Sequence, residues 1–334
     1  MNKDATIRAF VSLGNKLDTR LPEIKAVMEQ AYLKNNWFTE TNVTLCLKNW
    51  QSCLTEDALT SWLNEVPSRN ASPKEVGIIM AGNVPLVGFH DLLCVLATGN
   101  KAKIKLSQND EVLMKYCVAL LIEAEPGLEN FIQIAERVIK PDALIATGSN
   151  NSSRYFEYYF RDIPCIIRKN RTSVAVLDGS ESKEKMELLA DDIFQYFGLG
   201  CRNVTKLLVP RDYDLIPLLD ATQKYSDVGN HHKYANNNTY HRAIFLMNLT
   251  KHLDTGYLLV KEDEKLHTPL SCIFYQRFDS DNEVNNWLSD HIDEIQVVVS
   301  DQSEPNHIPF GTTQHTKLSD YADGVNTLNF LNNL

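Results

Sequence analysis

Apolar residues recur three and four positions apart near the amino terminus. Ile7, Phe10, Val11 and Leu13 are followed by Leu17, Leu21, Ile24, Val27 and Met28, and this period predicts helix from Ala5 to about Lys34. Two further stretches, "FTETNVTLCLKNW" and "LTEDALTSWLNEV", each open with Thr followed by acidic residues, which are helix start signals. The first 66 residues therefore read as an all-helical cap. The pattern then changes. "EVGIIMAG" (75–82) is a short apolar run suited to a strand, and "VPLVGFHDLLCVLATGN" (84–100) reads as a helix ending at Gly99. "KAKIKLS" (101–107) is a second strand, Asn109 to about Glu125 a helix, and "DALIATGS" (142–149) a third strand. Such alternation predicts βαβ units, an α/β class and a mainly parallel sheet.

Beyond residue 160 the strands "PCIIRKN" (164–170), "TSVAVLDG" (172–179) and "VTKLLVP" (204–210) surround an amphipathic helix over roughly Glu181 to Phe197. "HRAIFLMN", "LSCIFYQRF" and "EIQVVVS" read as later strands, and "GNHHKYANNNTY" (229–240) as an exposed polar loop. The chain is expected to divide into residues 1–170, residues 171–304 and a C-terminal segment 305–334 that returns to the first part or to a dimer interface.

Composition is that of an ordinary globular protein, 43% hydrophobic and 23% charged over 334 residues. The net charge of −10 argues against nucleic acid as a general partner, because a phosphate backbone would be repelled. No stretch approaches the roughly 20 apolar residues of a membrane span, so the expectation is a cytoplasmic protein. Seven cysteines lie scattered without a CxxC pair, which suggests mostly buried thiols rather than disulfides or zinc. His231, His232 and His241 lack an established ligand spacing, and no metal is expected.

Three stretches can carry chemistry. Cys201 follows Gly198-Leu199-Gly200 at a helix-to-strand junction, where a thiol is either a small core residue or a nucleophile sharing backbone N–H groups with an oxyanion. Asn83 follows a strand and precedes Pro85. It reads either as a helix N-cap or as an amide donor to a carbonyl oxygen. "ATGSNNSSRYF" (146–156) opens a helix and can hold a phosphate or form a plain loop, and Lys105 is either a solvated lysine or a ribose contact. Arg168, Arg171 and Arg202 either engage phosphates or pair with surface acids.

Together these stretches resemble the aldehyde dehydrogenase superfamily, and within it the LuxC-type fatty acyl-CoA reductase family. "MAGNVPLVGFHDLLCVLATGNKAKIKLSQND" looks like the catalytic-asparagine and strand-lysine segments, "ATGSNNSSR" like the Gly-Ser cofactor turn, "FGLGCRNVTKLLVP" like the nucleophile segment, and "IPFGTTQHTKLSDYADGVNTLNFL" like the C-terminal segment. The resemblance implies two Rossmann-like parallel-sheet domains behind an N-terminal helical segment, with the active site in the cleft between them. It implies Cys201 as nucleophile, Asn83 and the Cys201 backbone N–H as oxyanion hole, and Lys105, Ser107, Gln108, Gly148 and Ser149 as cofactor contacts. The substrate it implies is an acyl-CoA or acyl-carrier thioester. The partner it implies is an acyl-transferase or acyl-protein synthetase.

The departures from the superfamily pattern refine this. "CIIRKNRTS" offers no carboxylate where hydrolytic members carry a glutamate base, with Ile167 in its place, so water is poorly activated and thiol transfer is favoured. Gln108 stands where glutamate is common and makes NADPH acceptable. Glu264 is a candidate for the nicotinamide-side ribose glutamate, one position off. The stretch before "PKEVGIIM" looks short for the usual oligomerisation hairpin, which leaves a homodimer, rather than a tetramer, as the expectation. The reading is NADPH-dependent reduction of a fatty acyl-CoA to the aldehyde. Its rivals are a non-reducing acyl-transfer subunit and a CoA-acylating dehydrogenase acting on free aldehydes.

Overall fold

The computed structural model describes residues 3–64, 66, 72–301, 304 and 306–334. Residues 67–71, on which the short-hairpin expectation rests, and residue 305, at the expected start of the C-terminal segment, lie outside them. The chain divides into two compact units, residues 1–170 with 316–334, and residues 171–315.

The first unit opens with four helices, α1 (Lys3–Lys16), α2 (Pro22–Lys34), α3 (Glu40–Cys53) and α4 (Glu56–Asn64). The single helix expected over 5–34 is two. Pro22 denies Leu21 the helical region, so Leu21 is extended (φ −69°, ψ 134°) and the chain turns there. The Thr signals hold. Thr39 accepts from the Asn42 N–H at 3.3 Å and Thr55 from the Ala58 N–H at 3.4 Å.

An α/β layer follows: β1 (Glu75–Ile79), α5 (Phe89–Ala97), β2 (Lys101–Lys105), α6 (Glu111–Ala124), β3 (Ile132–Ile134), β4 (Ala143–Thr147), α7 (Asn150–Tyr159) and β5 (Cys165–Arg168). Its sheet is parallel, in the order β3-β2-β1-β4-β5. Val76, Ile78, Ala102, Ile104, Leu144 and Ile145 are all buried, as in a sheet covered on both faces. The helix expected from residue 84 begins only at Phe89. Residues 83–88 form a turn in which Leu86 is left-handed (φ 54°), and Gly88 is the N-cap, so the N-cap reading of Asn83 fails.

The second unit contains β6 (Thr172–Val176), α8 (Lys183–Phe194), β7 (Val204–Pro210), α9 (Ile216–Ala221), α10 (His232–Met247), β8 (Leu253–Asp254), β9 (Leu259–Glu262), β10 (Cys272–Phe278), α11 (Asp281–Asp290), β11 (Ile295–Val299) and β12 (His307–Ile308). The sheet order is β12-β11-β6-β7-β10-β9-β8, parallel except for the β8–β9 edge pair. Val174, Leu208, Phe278, Leu288 and Ile295 form one core cluster. Of the polar loop and strand expected over 229–248, residues 232–247 are instead the single helix α10, and 229–230 end a preceding 3-10 helix. Tyr234, Asn238 and Phe245 are its buried residues, spaced four and seven apart, a one-sided stripe interrupted by enough polar residues to hide its period. The chain then returns to the first unit, where α12 (Thr327–Asn332) buries Leu328 and Leu331.

Candidate functional site

The candidate residues fall into two sets, one in each unit. In the first sheet the chain runs β1, β2, β3 to one side and then crosses to β4 and β5 on the other. The switch point therefore lies between β1 and β4, and ligands of open α/β sheets bind at the carboxyl ends of the strands flanking such a point. Asn83 follows β1, Lys105, Ser107 and Gln108 end or follow β2, and Gly148 and Ser149 follow β4. The structure thus brings all six to one edge of this sheet. Asn83, Lys105, Gln108 and Ser149 are exposed, while Ser107 and Gly148 are half-buried.

Local contacts fix this edge. The Met80 N–H donates to Lys105 O at 3.1 Å, and a Cβ on Gly82 would come within 2.4 Å of Ser107 Oγ, so glycine is what lets the segment after β1 lie on the turn after β2. The Leu86 N–H donates to Asp110 Oδ2 at 2.8 Å and the Cys46 thiol to Pro85 O at 3.2 Å, which pins the turn following Asn83. Burial pushes the Asp110 carboxyl well above its usual range, opposed by the Leu86 N–H. Ser149 caps α7, accepting from the Ser152 N–H at 3.2 Å, and the Gly148 N–H donates to Arg168 O at 3.2 Å. A Cβ on Gly148 would meet Ser152 and Phe156 at 3.0 Å.

In the second unit Cys201 sits on the turn between α8 and β7 and is exposed, as is Cys165 of β5; Cys46, Cys94, Cys117 and Cys272 are buried. The helix expected to reach Phe197 stops at Phe194. Tyr196 (φ 53°), Phe197 (φ 59°) and Gly198 (φ 75°) then form three successive left-handed residues. Left-handed backbone costs roughly 1–2 kcal/mol for each residue with a Cβ, so the surroundings must hold this turn. Asn203 and Ser173, both fully buried, do so. The Asn203 amide Nδ2 donates to Asp192 O (3.0 Å) and Gln195 O (2.9 Å), and its Oδ1 accepts from the Gly200 N–H (2.8 Å). Ser173 Oγ donates to Cys201 O at 3.0 Å. A cavity of about 210 Å³ adjoins the turn, lined among others by Phe194, Phe197, Leu199, Tyr234 and Cys272. Burial pushes the Cys272 thiol up to about 12.

Sequence reasoning missed Asp110, Ser173 and the bonding of Asn203, because each acts through a partner distant in the chain or through backbone geometry. Of the three arginines read as phosphate contacts or partners of surface acids, Arg168 does pair with an acid, but a buried one. Arg168 is buried, its Nη1 2.5 Å from Asp91 Oδ2 and its Nη2 donating to Thr327 Oγ1 at 3.1 Å. Arg202 Nε donates to Thr313 O, and Arg171 Nη1 to Ile295 O at 3.1 Å. Glu264 is exposed in the loop after β9, whose Asp263 and Lys265 carbonyls accept from the buried Lys206 ammonium. Among the described residues no group of three or more His, Cys, Asp or Glu is placed to hold a metal, and no helix is long and apolar enough to cross a membrane.

No family model and no curated protein matches the sequence. Solved structures do match. An NAD-dependent benzaldehyde dehydrogenase from Corynebacterium glutamicum superposes with a TM-score of 0.68 at 12% identity, covering 91% of this chain and 77% of that one. The chain has the aldehyde dehydrogenase fold. The Mycobacterium tuberculosis aldehyde dehydrogenase complexed with NAD+ gives a TM-score of 0.67 at 12% identity over 91% of this chain and 74% of its own. The P. syringae indole-3-acetaldehyde dehydrogenase AldA, in complex with NAD+ and IAA, gives 0.67 at 12% identity over 91% and 73%.

Proposed function

We propose that this protein is an NADPH-dependent acyl-CoA reductase that forms an acyl-enzyme on Cys201 and releases an aldehyde. The observation that carries this reading is the exposed thiol on a turn held rigidly from both sides, joined to a first unit of dinucleotide-binding topology.

The carboxyl edge of the first sheet fits a nicotinamide dinucleotide. It has the Rossmann strand order, a switch point flanked by Asn83 and Gly148-Ser149, and at the end of β2 the uncharged Gln108, which places no negative charge against a 2′-phosphate. Lys105, Ser107, Gln108, Gly148 and Ser149 would hold the cofactor, and a bound nicotinamide would supply the hydride. Residues 1–170 are then the cofactor-binding part, with 316–334 completing it, and residues 171–315 the nucleophile-bearing part.

The Cys201 thiolate attacks the thioester carbonyl. The new C–S bond forms as the CoA thiolate departs and takes up a proton. The Cys201 backbone N–H holds the carbonyl oxygen as it becomes an oxyanion, and on the resemblance alone Asn83 supplies a second donor. The lack of a carboxylate in the segment 165–173, where hydrolytic members of the resembled superfamily carry their base, favours reduction or thiol transfer over hydrolysis. Between Cys165 and Ser173 there is no carboxylate, and of the basic groups there Arg168 is turned into the core against Asp91.

The test is intact-mass measurement after mixing with acyl-CoAs of several chain lengths, with and without NADPH. The expected result is one acyl adduct per chain, mapped to Cys201 and discharged as aldehyde when NADPH is added. An adduct on another cysteine, or none with any chain length, would overturn the reading. An adduct that free CoA discharges but NADPH does not would instead mark an acyl-transfer subunit.

A further inference from the structure

We infer that Asn203 is a positioning residue that aims the Cys201 backbone N–H; the inference rests on the reading of Cys201 as the acyl-accepting nucleophile. Helix α8 ends at Phe194, and the last carbonyls of a helix have no partner within it. The fully buried Asn203 amide meets them, donating to Asp192 O at 3.0 Å and to Gln195 O at 2.9 Å. With its other end it accepts from the Gly200 N–H at 2.8 Å. One side chain thereby spans the left-handed stretch Tyr196-Phe197-Gly198 and fixes where the chain emerges from it.

The backbone of the same residue completes the arrangement. The Asn203 N–H donates to Gly200 O at 3.1 Å. Gly200 C=O and Cys201 N–H belong to one peptide plane, and in a trans peptide they point in opposite directions. Holding the carbonyl on one side therefore directs the Cys201 N–H to the other. The two neighbouring peptides are fixed as well, at the Gly200 N–H by Asn203 Oδ1 and at Cys201 O by Ser173 Oγ, 3.0 Å away. The plane cannot rotate without breaking one of these bonds. A preorganised donor stabilises an oxyanion because it spends no free energy on reorienting during the reaction.

The experiment compares two reactions of one thiol. Acylation by acyl-CoA passes through an oxyanion. Alkylation by iodoacetamide forms a C–S bond as iodide leaves and passes through none. In Asn203→Ala the acylation rate should fall toward the loss of about 100- to 1,000-fold seen when an oxyanion donor is removed, while the alkylation rate at Cys201 stays within a few-fold of wild type. Asn203→Ser, a milder change, is read by the same ratio if the alanine variant does not fold. Equal losses in both rates would show that the side chain only supports the turn, and no loss in either would show that it does not position the N–H; each overturns the inference. Failure of the underlying reading looks different, since Cys201→Ala would then still take up the acyl group.

Discussion

The buried pair of Asp91 and Arg168 allows a quantitative test of how the first unit is closed. Asp91, on α5, is 3% exposed and Arg168, at the end of β5, is 7% exposed. Removing the carboxylate by Asp91→Ala leaves a desolvated guanidinium without its hydrogen-bonded counter-charge, with Asp323 the carboxylate still acting on it, and breaking such a pair costs about 3–5 kcal/mol. Replacing both by apolar residues of similar volume, Asp91→Leu with Arg168→Met, removes the desolvation penalty together with the attraction, and typically ranges from neutral to stabilising by about 1–4 kcal/mol. The lost hydrogen bond from Arg168 to Thr327 returns about 1 kcal/mol of cost. The double variant should therefore be more stable than Asp91→Ala by several kcal/mol. In a Trp287→Phe background the tryptophan signal comes from Trp37, Trp50 and Trp62, all in the first unit. With urea m-values of about 1–3 kcal/mol/M, the Asp91→Ala midpoint should fall by roughly 1–5 M. The reasoning fails if the double variant is as unstable as Asp91→Ala, or if that single change costs less than about 1 kcal/mol.

Four shorter predictions concern the thiol, the cofactor, pH and water. Cys201 should be alkylated faster than Cys165, the other exposed cysteine, whose thiol is pushed up by burial and then by the Glu157 carboxylate; peptide mapping after limited iodoacetamide treatment reads the order. Gln108→Glu should shift binding preference from NADPH toward NADH by like-charge repulsion with the 2′-phosphate, and titrations in which wild type already prefers NADH would contradict it. His90 packs among Trp50, Trp62 and Tyr321 and donates through Nε2 to Leu318 O at 2.9 Å; burial holds its pKa below the ordinary 6.5. Below that value the unfolded chain binds a proton that the folded chain refuses, so stability is intact above pH 6.5 and declines as pH falls below it; His90→Gln should flatten this slope in thermal melts between pH 5 and 7.5. The acyl-enzyme should persist without NADPH, because general-base help worth about 10²–10⁴ in rate is missing from the segment 165–173; rapid multiple-turnover release of free fatty acid would refute this.

What could be read from the chain beforehand divides along physical lines. Strands such as Val204–Pro210 and Cys272–Phe278 are buried apolar runs bounded by turn residues, so their sequence marks their position. Helix α10 was illegible because its buried Tyr234, Asn238 and Phe245 stand among polar residues, and its last apolar residues, Leu246 and Met247, are exposed and imitate a strand. Pro85 looks like a first-turn proline, yet helix α5 starts five residues later than its sequence suggests. The bonds that hold residues 83–88 in a turn come from Asp110 and Cys46, more than twenty positions away in either direction. The candidate site followed the same division. The identities of Cys201 and Asn83 stood out by their glycine and proline neighbours. The devices around them, Asn203 beneath the one and Asp110 beside the other, depend on where a helix ends and which carbonyls it leaves over, and no spacing rule announces that.

The return of residues 316–334 to the first unit has a consequence for biosynthesis. Asn100 Nδ2 donates to Leu331 O, Arg168 to Thr327, and His90 to Leu318 O, so the first unit recruits backbone and side chains that leave the ribosome after the entire second unit. Residues 171–315 are contiguous and can mature as soon as they emerge, whereas the part translated earliest must wait for the part translated last. During that interval the sites on α5 and β5 that α12 will cover stand open to solvent and to chaperones. Translation order and completion order are thus reversed for the two halves, and a nascent chain halted just after residue 315 has emerged would present a complete second unit behind an unfinished first one.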